Sequence, residues 1–495
     1  MKNINRIYLF IALGFCSLFT ISCVNDLGNY EYEDVAKILP VTISGISDTT
    51  IMSGTILKII PEVKNVDREY VYSWYAIPIE VNGVLRQKTI LSETMELNDY
   101  VRLVDGRYIL YFEVRDVERD IYALKSVLLT VTATEITYGW YVLKDINEET
   151  DFDYINRDGV LYPDILLASD NRLKGTAVKM AFQDRRYYHM SDSSGIQMGL
   201  QAMHVLSSRD MKTFNGRNLY EVYKEYKDEF YVIPDNCAPQ SIEVADEGDL
   251  FLLNAGKLHS IYGLTSNSGR FSPPKVGFYT LFKKMFTVTG IGASTMVFDL
   301  ESCTFYIADS FGERLSTMDD RPNYPSPTNM DATVIDLLPS QRNYTNVRGS
   351  VIMKNKNKEE YYIRGINFNG PAYPFTSFDT IPAGYKMPYA ESRAVPYAGA
   401  FVYFGDANKL FVYRNAAVAN RETEIITFPE DETIAYLTNM YASGAYNYLV
   451  VLTNNATEWK LYVYNIRALG NPDLEAEPAF VYSGTGHARY VMYRP

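Results

Sequence analysis

Five stretches of the chain repeat one design: an apolar strand, a polar turn, and a second, alternating strand. They are SIEVADEGDLFLLNAGKLHSI from Ser241, STMVFDLESCTFYIAD from Ser294, SVIMKNKNKEEYYIRGI from Ser350, AFVYFGDANKLFVYRNA from Ala400 and YLVVLTNNATEWKLYVYNI from Tyr448. Their starts lie about 50 residues apart. A strand pair cannot bury its own apolar face, so units at even spacing must stack on one another. This regularity constrains the fold more than any other feature of the sequence.

A period of about 50 with two strong strands per unit is that of β-propeller blades, and residues 138–495 leave room for about seven. The earlier units are less regular: YGWYVLKDI opens the region and HVLSSRDMKTF falls in a second unit. A second pair of β-sandwiches is the competing arrangement, but sandwiches do not require even spacing. The segment SSRDMKTF, Ser207 to Phe214, resembles the Ser-x-Asp hairpin turns of sialidases. It lacks their glycine, is one residue short and carries Phe214 in place of tryptophan. Such turns are structural in those families and carry no catalytic role.

Residues 36–134 read as a separate small β module. KILPVTIS, TILKIIPEV, EYVYSWYAIPI, RYILYFEVRD and SVLLTVTAT are strand-like, with turn formers at Ser53-Gly54, Asn82-Gly83 and Asp105-Gly106. In YVYSWYA, Tyr70, Tyr72 and Trp74 share one strand face. A tryptophan so placed plugs the space between two sheets, so Trp74 is expected in the core. SGTILKIIPEV, YSWY, DGRYILYFEVRD and the closing LLTVTA together resemble the PKD-like, immunoglobulin-type modules of bacterial surface proteins. The resemblance implies a β-sandwich serving as spacer or adhesion module.

The N-terminus supplies an address. Lys2 and Arg6 precede sixteen apolar or small residues, IYLFIALGFCSLFTIS, and Ser22 stands directly before Cys23. The run is short for a membrane span and has the basic start of an export signal. It resembles a bacterial lipoprotein signal over residues 1–22, with Thr20 where that family favours leucine. The resemblance implies cleavage before Cys23 and lipidation of its thiol. Each buried acyl CH₂ contributes about 0.8 kcal/mol, so several chains hold a protein firmly on a membrane. Residues 23–35, VNDLGNYEYEDV after the cysteine, read as an acidic tether. Asp26, Glu31, Glu33 and Asp34 loosely resemble the surface-export signal of Bacteroidetes lipoproteins.

Composition narrows the function classes. The 495 residues carry a net charge of −13, and no basic stripe offsets it, which argues against nucleic-acid binding. The 42 tyrosines outnumber Phe and Trp together; tyrosine favours strands and tolerates half-wet surfaces. Beyond Cys16 and Cys23 only Cys237 and Cys303 remain, free to pair or not. There is no CxxC, HExxH, GxSxG or phosphate-cradling glycine loop, so no cofactor and no metal is expected. DFDYINRDG holds Asp151, Asp153 and Asp158 but departs from calcium-loop spacing.

In this order, a lipoprotein signal, a PKD-like module, GWYVLKD and a repetitive all-β region resemble the PKD-like lipoproteins of Bacteroidetes. That resemblance implies an outer-membrane, cell-surface lipoprotein associated with a TonB-dependent barrel and its lid lipoprotein, in loci of the starch-utilisation type. The expected fold is all-β: a PKD or immunoglobulin-like sandwich followed by a β-propeller. The expected role is a non-catalytic accessory binding protein of nutrient uptake. It would capture an oligosaccharide or an oligopeptide, or dock onto the importer. A propeller glycosidase or lyase and a purely structural scaffold are the alternatives.

For an enzyme, two carboxylates would have to converge. Asp153, Asp184, Asp309 and Asp379 lie near strand ends, as do many solvated turn acids. The segment Ile366 to Tyr397, rich in Pro, Gly and aromatics, reads as one long ordered loop between strands, a common setting for binding. Its Tyr373, Phe375, Phe378, Tyr385 and Tyr389, with Tyr324 of RPNYPSPTN, are the candidate ligand-binding rings. The same rings could equally pin the segment onto its own domain.

Overall fold

A computed structural model describes residues 41–494, apart from 53–54, 65–68, 80–87, 102, 104–105, 133–137, 168–170, 190–196, 217–224, 246–247, 264–268, 291, 398–400, 415–419, 444–445 and 468–471. The export signal, Cys23 and the acidic tether lie outside the described residues. The described chain is all-β, with no α-helix, and no helix long and apolar enough to cross a membrane. Contacts divide it into two units: Met1–Thr50, Ile56–Asp99 and Arg107–Thr130 in one, Ile51–Thr55, Tyr100–Gly106 and Val131–Pro495 in the other.

The N-terminal unit is built on a five-stranded sheet. Its order is Thr49–Met52, Ile121–Thr132, Gly106–Asp116, Val71–Pro78, Thr89–Ser92. Two short pairs accompany it, Ile56–Ile59 with Leu97–Tyr100 and Thr42–Ser44 with Glu62–Lys64. Trp74 is fully buried, stacks on its cross-strand partner Phe112 at 4.4 Å and donates its indole N–H to the Met95 carbonyl at 3.1 Å. The ring thus fills the core while its one polar atom keeps a partner.

The second unit holds seven antiparallel sheets among the described residues, taken in chain order. The first contains Gly139–Ile146 and Glu149–Asn156. The second runs Ala177–His189, Gln197–Ser207, Met211–Asn215, and the third Pro239–Val244, Leu250–Asn254, Lys257–Ile261. The fourth is Phe286–Thr287, Ser294–Asp299, Thr304–Asp309, Ser316–Thr317. The fifth is Ala332–Arg342, Val347–Asn355, Tyr361–Phe368, Phe375–Ile381. The sixth is Arg393–Ala394, Phe401–Asp406, Lys409–Arg414, Glu422–Thr427. The seventh is Thr433–Ser443, Tyr446–Asn454, Glu458–Asn465, Phe480–Thr485.

The first sheet is completed from the far end of the chain. His487–Arg494 pairs with Gly139–Ile146 along its whole length, Val142 opposite Val491 and Trp140 opposite Tyr493. Gly139 starts that strand at φ +146, and a Cβ there would collide with the Ile155 carbonyl oxygen. The glycine of GWYVLKD is therefore required by a close approach of two backbones.

Middle strands are apolar without interruption because both of their faces are covered. Leu250–Asn254 is buried at every residue, and Phe401–Asp406 at all but its last. The buried clusters follow the sheets in sequence. Tyr141, Phe152 and Met203 join the first sheet to the second; Leu206, Ile242 and Leu252 join the second to the third. Phe251, Phe298 and Val351 link the third, fourth and fifth. Ile352, Ile363 and Phe404 join fifth to sixth, and Tyr403, Val412 and Leu449 sixth to seventh. Trp140, Val450 and Trp459 join the seventh back to the first.

Turns follow from residue chemistry. Ala255-Gly256 and Asn147-Glu148 each place two positive-φ residues in a two-residue hairpin loop, the geometry that matches strand twist. In SSRDMKTF, Ser207 donates its hydroxyl to the Lys174 carbonyl at 2.5 Å, and Phe214 is fully buried. The segment is a hairpin between the last two strands of the second sheet. The stretch Ile366 to Tyr397 is not the single loop expected from its composition. Phe375–Ile381 pairs with Tyr361–Phe368 as the fourth strand of the fifth sheet, and Arg393–Ala394 begins the sixth. Pro374 and Pro382 bracket the fourth strand, and prolines at strand ends leave the ladder intact.

Candidate functional site

One edge strand from each sheet borders a cavity of about 1200 Å³. In the second to seventh sheets it is the strand that comes first in the chain; in the first sheet it is His487–Arg494. Alternation along these strands sends every second side chain inward or between sheets. The lining carries seven Lys or Arg against three Asp or Glu, the reverse of the chain's net charge of −13.

The charges are organised around two carboxylates. Glu243 receives Lys179 at 2.5 Å and Arg342 at 3.0 Å. Burial pushes the Glu243 carboxyl up, but Lys179 and Arg342 outweigh it and hold it below the usual range. Arg342 is fixed further by the carbonyls of Thr287 at 3.1 Å and Val244 at 2.9 Å. Asp336 receives Lys284 at 2.6 Å and Arg393 at 3.1 Å. Arg393 is buried and also donates to the Met387 and Pro388 carbonyls, both at 2.8 Å. Each carboxylate thus serves two cations. Lys284 borders the cavity and keeps 41% of its side chain exposed.

Two tyrosines share this space. The rings of Tyr436 and Tyr490 lie 5.0 Å apart. Burial is the first cause raising both hydroxyls above their ordinary pKa, and the Glu243 charge adds to it. Both remain protonated donors at neutral pH. Arg494 packs on the Phe182 ring at 3.5 Å and donates to the Gly216 carbonyl and to Gln201 Oε1, both at 2.9 Å.

The candidate rings lie elsewhere, and none of them borders the cavity. Four come together at the outer strands of the fourth and fifth sheets. Tyr324 lies 5.9 Å from Tyr373 and 6.0 Å from Phe378, and Phe375 lies 5.6 Å from Tyr373 and 5.9 Å from Phe378. Phe375 is buried, whereas Tyr324 and Phe378 are 43% and 40% exposed. Tyr373 donates to the Pro325 carbonyl at 2.9 Å, tying the two segments together. Arg321 sits over Tyr324, and Arg364 over Phe375 and Phe378. Arg364 Nη1 is buried without a hydrogen-bond partner among the described residues. Tyr385 and Tyr389 stand apart: Tyr385 packs on Tyr413, Tyr389 on Tyr361 with its hydroxyl 3.1 Å from Glu359.

The three candidate acids whose side chains are described do not converge. Asp153 is fully buried against Lys144 at 2.5 Å, Asp379 pairs with Arg421 at 2.7 Å, and Asp309 lies near Lys275. The Asp184 side chain lies outside the described residues. Asp151 of DFDYINRDG accepts from the Phe152, Leu166 and Leu167 amides and from Arg172, so its oxygens hold the local backbone. Cys237 and Cys303 are both free.

The cavity clusters escape sequence reading because each joins side chains from different repeats, Glu243 with Lys179 and Arg342, Asp336 with Lys284 and Arg393. The available signal was a charge inside the first strand of several units, as in VKMAF, SIEV, TVID and ESRAV, where a purely structural strand needs none.

The model of the PKD-like family matches residues 23–179, which spans most of the N-terminal unit and every strand of the first sheet of the second unit except His487–Arg494. A search of curated proteins returned no match. Among solved structures, a quinonprotein alcohol dehydrogenase-like protein of Bacteroides thetaiotaomicron matches with 13% identity and a TM-score of 0.46, over 91% of this chain and 97% of that one. The extracellular domain of a hybrid two-component system from the same species matches with 15% identity and a TM-score of 0.29, over 59% of this chain and 34% of that one. The polysaccharide lyase Uly1 matches with 10% identity and a TM-score of 0.27, over 78% and 88%. The PKD-like character of the N-terminal part rests on the family match; the fold of the rest rests on its own sheets.

Proposed function

We propose that this chain is a lipid-anchored surface protein whose seven sheets are the blades of a closed β-propeller, and that it binds a nutrient oligomer in the central cavity without transforming it. The observation that carries the reading is the cavity itself. Strands from all seven sheets deliver fixed polar and charged groups to one space of about 1200 Å³, above the usual range for a small-molecule site. The absence of converging free carboxylates among the described residues favours binding over glycoside hydrolysis. Cys23 would carry the anchor, and a TonB-dependent barrel with its lid lipoprotein would be the partner that receives the ligand.

A second surface is favoured by the half-exposed rings of Tyr324 and Phe378. They offer a stacking platform for a longer chain outside the cavity.

The test is ligand capture by the soluble protein lacking residues 1–23, on glycan arrays and in peptide pull-downs. A captured ligand should protect Lys179 and Lys284 from amine-reactive labelling while exposed Lys358 stays reactive. Capture with no protection of either cavity lysine would move the site elsewhere. No capture in either screen would leave the scaffold role in its place.

A further inference from the structure

We propose that the central cavity is specific for an anionic oligosaccharide, one that bears carboxylate or sulfate groups. This rests on the cavity being the binding site. The first observation is charge: with Arg489 neutralised by Asp145, the lining still holds three more cations than anions in a strongly acidic protein. A concave, low-dielectric wall concentrates that field in the cavity.

The second observation is how the charge is held. Ordinary ion pairs would neutralise one cation with one carboxylate. Here Glu243 serves Lys179 and Arg342, and Asp336 serves Lys284 and Arg393, so each cluster keeps one positive charge over. The arginines are spoken for by backbone carbonyls, so they set the geometry. The lysines supply the reach: an ammonium has three donors, and Lys284 is the more exposed of the two. A ligand carboxylate or sulfate approaching Lys284 completes the cluster with a charge-assisted hydrogen bond.

The third observation selects sugar over acidic peptide. Tyr436 and Tyr490 bring ring faces and protonated hydroxyls to the same space, a combination suited to the C–H faces and hydroxyls of a pyranose. The cavity holds more than one such ring at about 1200 Å³.

The experiment is calorimetry on the soluble protein with four probes: oligogalacturonate, a sulfated chondroitin oligosaccharide, a neutral cello-oligosaccharide of equal length, and oligoglutamate. The expected result is binding of one or both acidic sugars. It should weaken at least about tenfold when ionic strength rises from about 0.05 to about 0.5 M. Lys284→Gln should cost about tenfold or more in Kd, Lys283→Gln less, and Lys358→Gln nothing. Whichever acidic sugar binds identifies the anionic group. Equal binding of the neutral sugar overturns the charge assignment and leaves the binding-protein reading standing. Oligoglutamate binding without sugar binding overturns the saccharide assignment. Unchanged affinity in a folded Lys284→Gln variant overturns the role of the Asp336 cluster. Silence from all four probes together with empty arrays defeats both readings.

Discussion

The indole N–H of Trp459 donates to Asp153 at 2.9 Å, across 306 positions of the chain. The bond joins the seventh sheet to the first, and it ends on a carboxylate already paired with Lys144 at 2.5 Å, where neither side chain is exposed. Lys144 also reaches the Thr485 carbonyl at 3.0 Å and Asp164 at 3.1 Å. Burial raises the Asp153 carboxyl pKa, against the pull of Lys144, the Asp164 amide and Trp459.

Removing the cation of this pair alone should hurt more than removing both partners. Lys144→Met alone leaves the Asp153 carboxylate buried without its cation and should cost about 3–5 kcal/mol, while Asp153→Asn should cost less because Lys144 keeps Asp164. The double variant should recover part of that loss. Urea unfolding of the four proteins checks it, and a double variant weaker than both singles would contradict it.

Gly139→Ala should destabilise the second unit by about 2–3 kcal/mol or more, because both its positive φ and the Ile155 carbonyl oppose a Cβ. Gly370→Ala is the comparison, since its φ is also positive but nothing lies within 4 Å. A melting-temperature loss at Gly139 no larger than at Gly370 would show that backbone approach is unimportant there.

Lys275 gives a pH signature. It is 5% exposed, and its ammonium contacts the Ser310 and Gly312 carbonyls. Burial lowers its pKa to about 8, despite Asp309 and Glu313. Between about pH 8 and the unfolded value near 10.5, the unfolded chain holds one more proton than the folded one, so stability from this group rises with pH. The slope should reach about 1.4 kcal/mol per pH unit at most. Subtracting the pH profile of Lys275→Met isolates the effect; a flat difference across that window would refute it.

The exterior rings should act on ligand length. Tyr324→Ala and Phe378→Ala should each cost only about 1 kcal/mol of stability, since both rings are half-exposed. Retention of long oligosaccharides should fall severalfold while short ones bind unchanged. Equal losses for both lengths would place these rings outside the binding path.

Cys23→Ala should move the protein from the membrane fraction to the soluble fraction. Persistence in the membrane fraction after a carbonate wash would exclude a lipid anchor at that residue.

The sheets were legible where burial is two-sided. Strands such as LFLLN and YLVVL announce themselves because both faces are packed, and their spacing carries the repeat. Edge strands were not. Phe286–Thr287 and Arg393–Ala394 are two residues each, too short for any periodicity, and FTSFDTI hides between prolines. Tyr324 and Tyr373 were legible as partners in kind, but their ring contact and the Tyr373 hydroxyl on Pro325 come only with the fold. The cavity clusters were not legible, because Glu243 meets Arg342 only once the sheets close.

That closure also sets a schedule. A chain synthesised from its N-terminus presents Gly139–Ile146 long before His487–Arg494 arrives to cover its edge. Until then the first sheet has an open strand ladder, and its apolar face around Trp140 and Ile155 needs Trp459 of the seventh sheet to cover it. Joining His487–Arg494 to Gly139–Ile146 closes a loop over most of the unit, whose entropic cost grows only slowly with its length. A chain cut short before His487 should therefore keep the Gly139–Ile146 edge unpaired, a template for pairing with another chain.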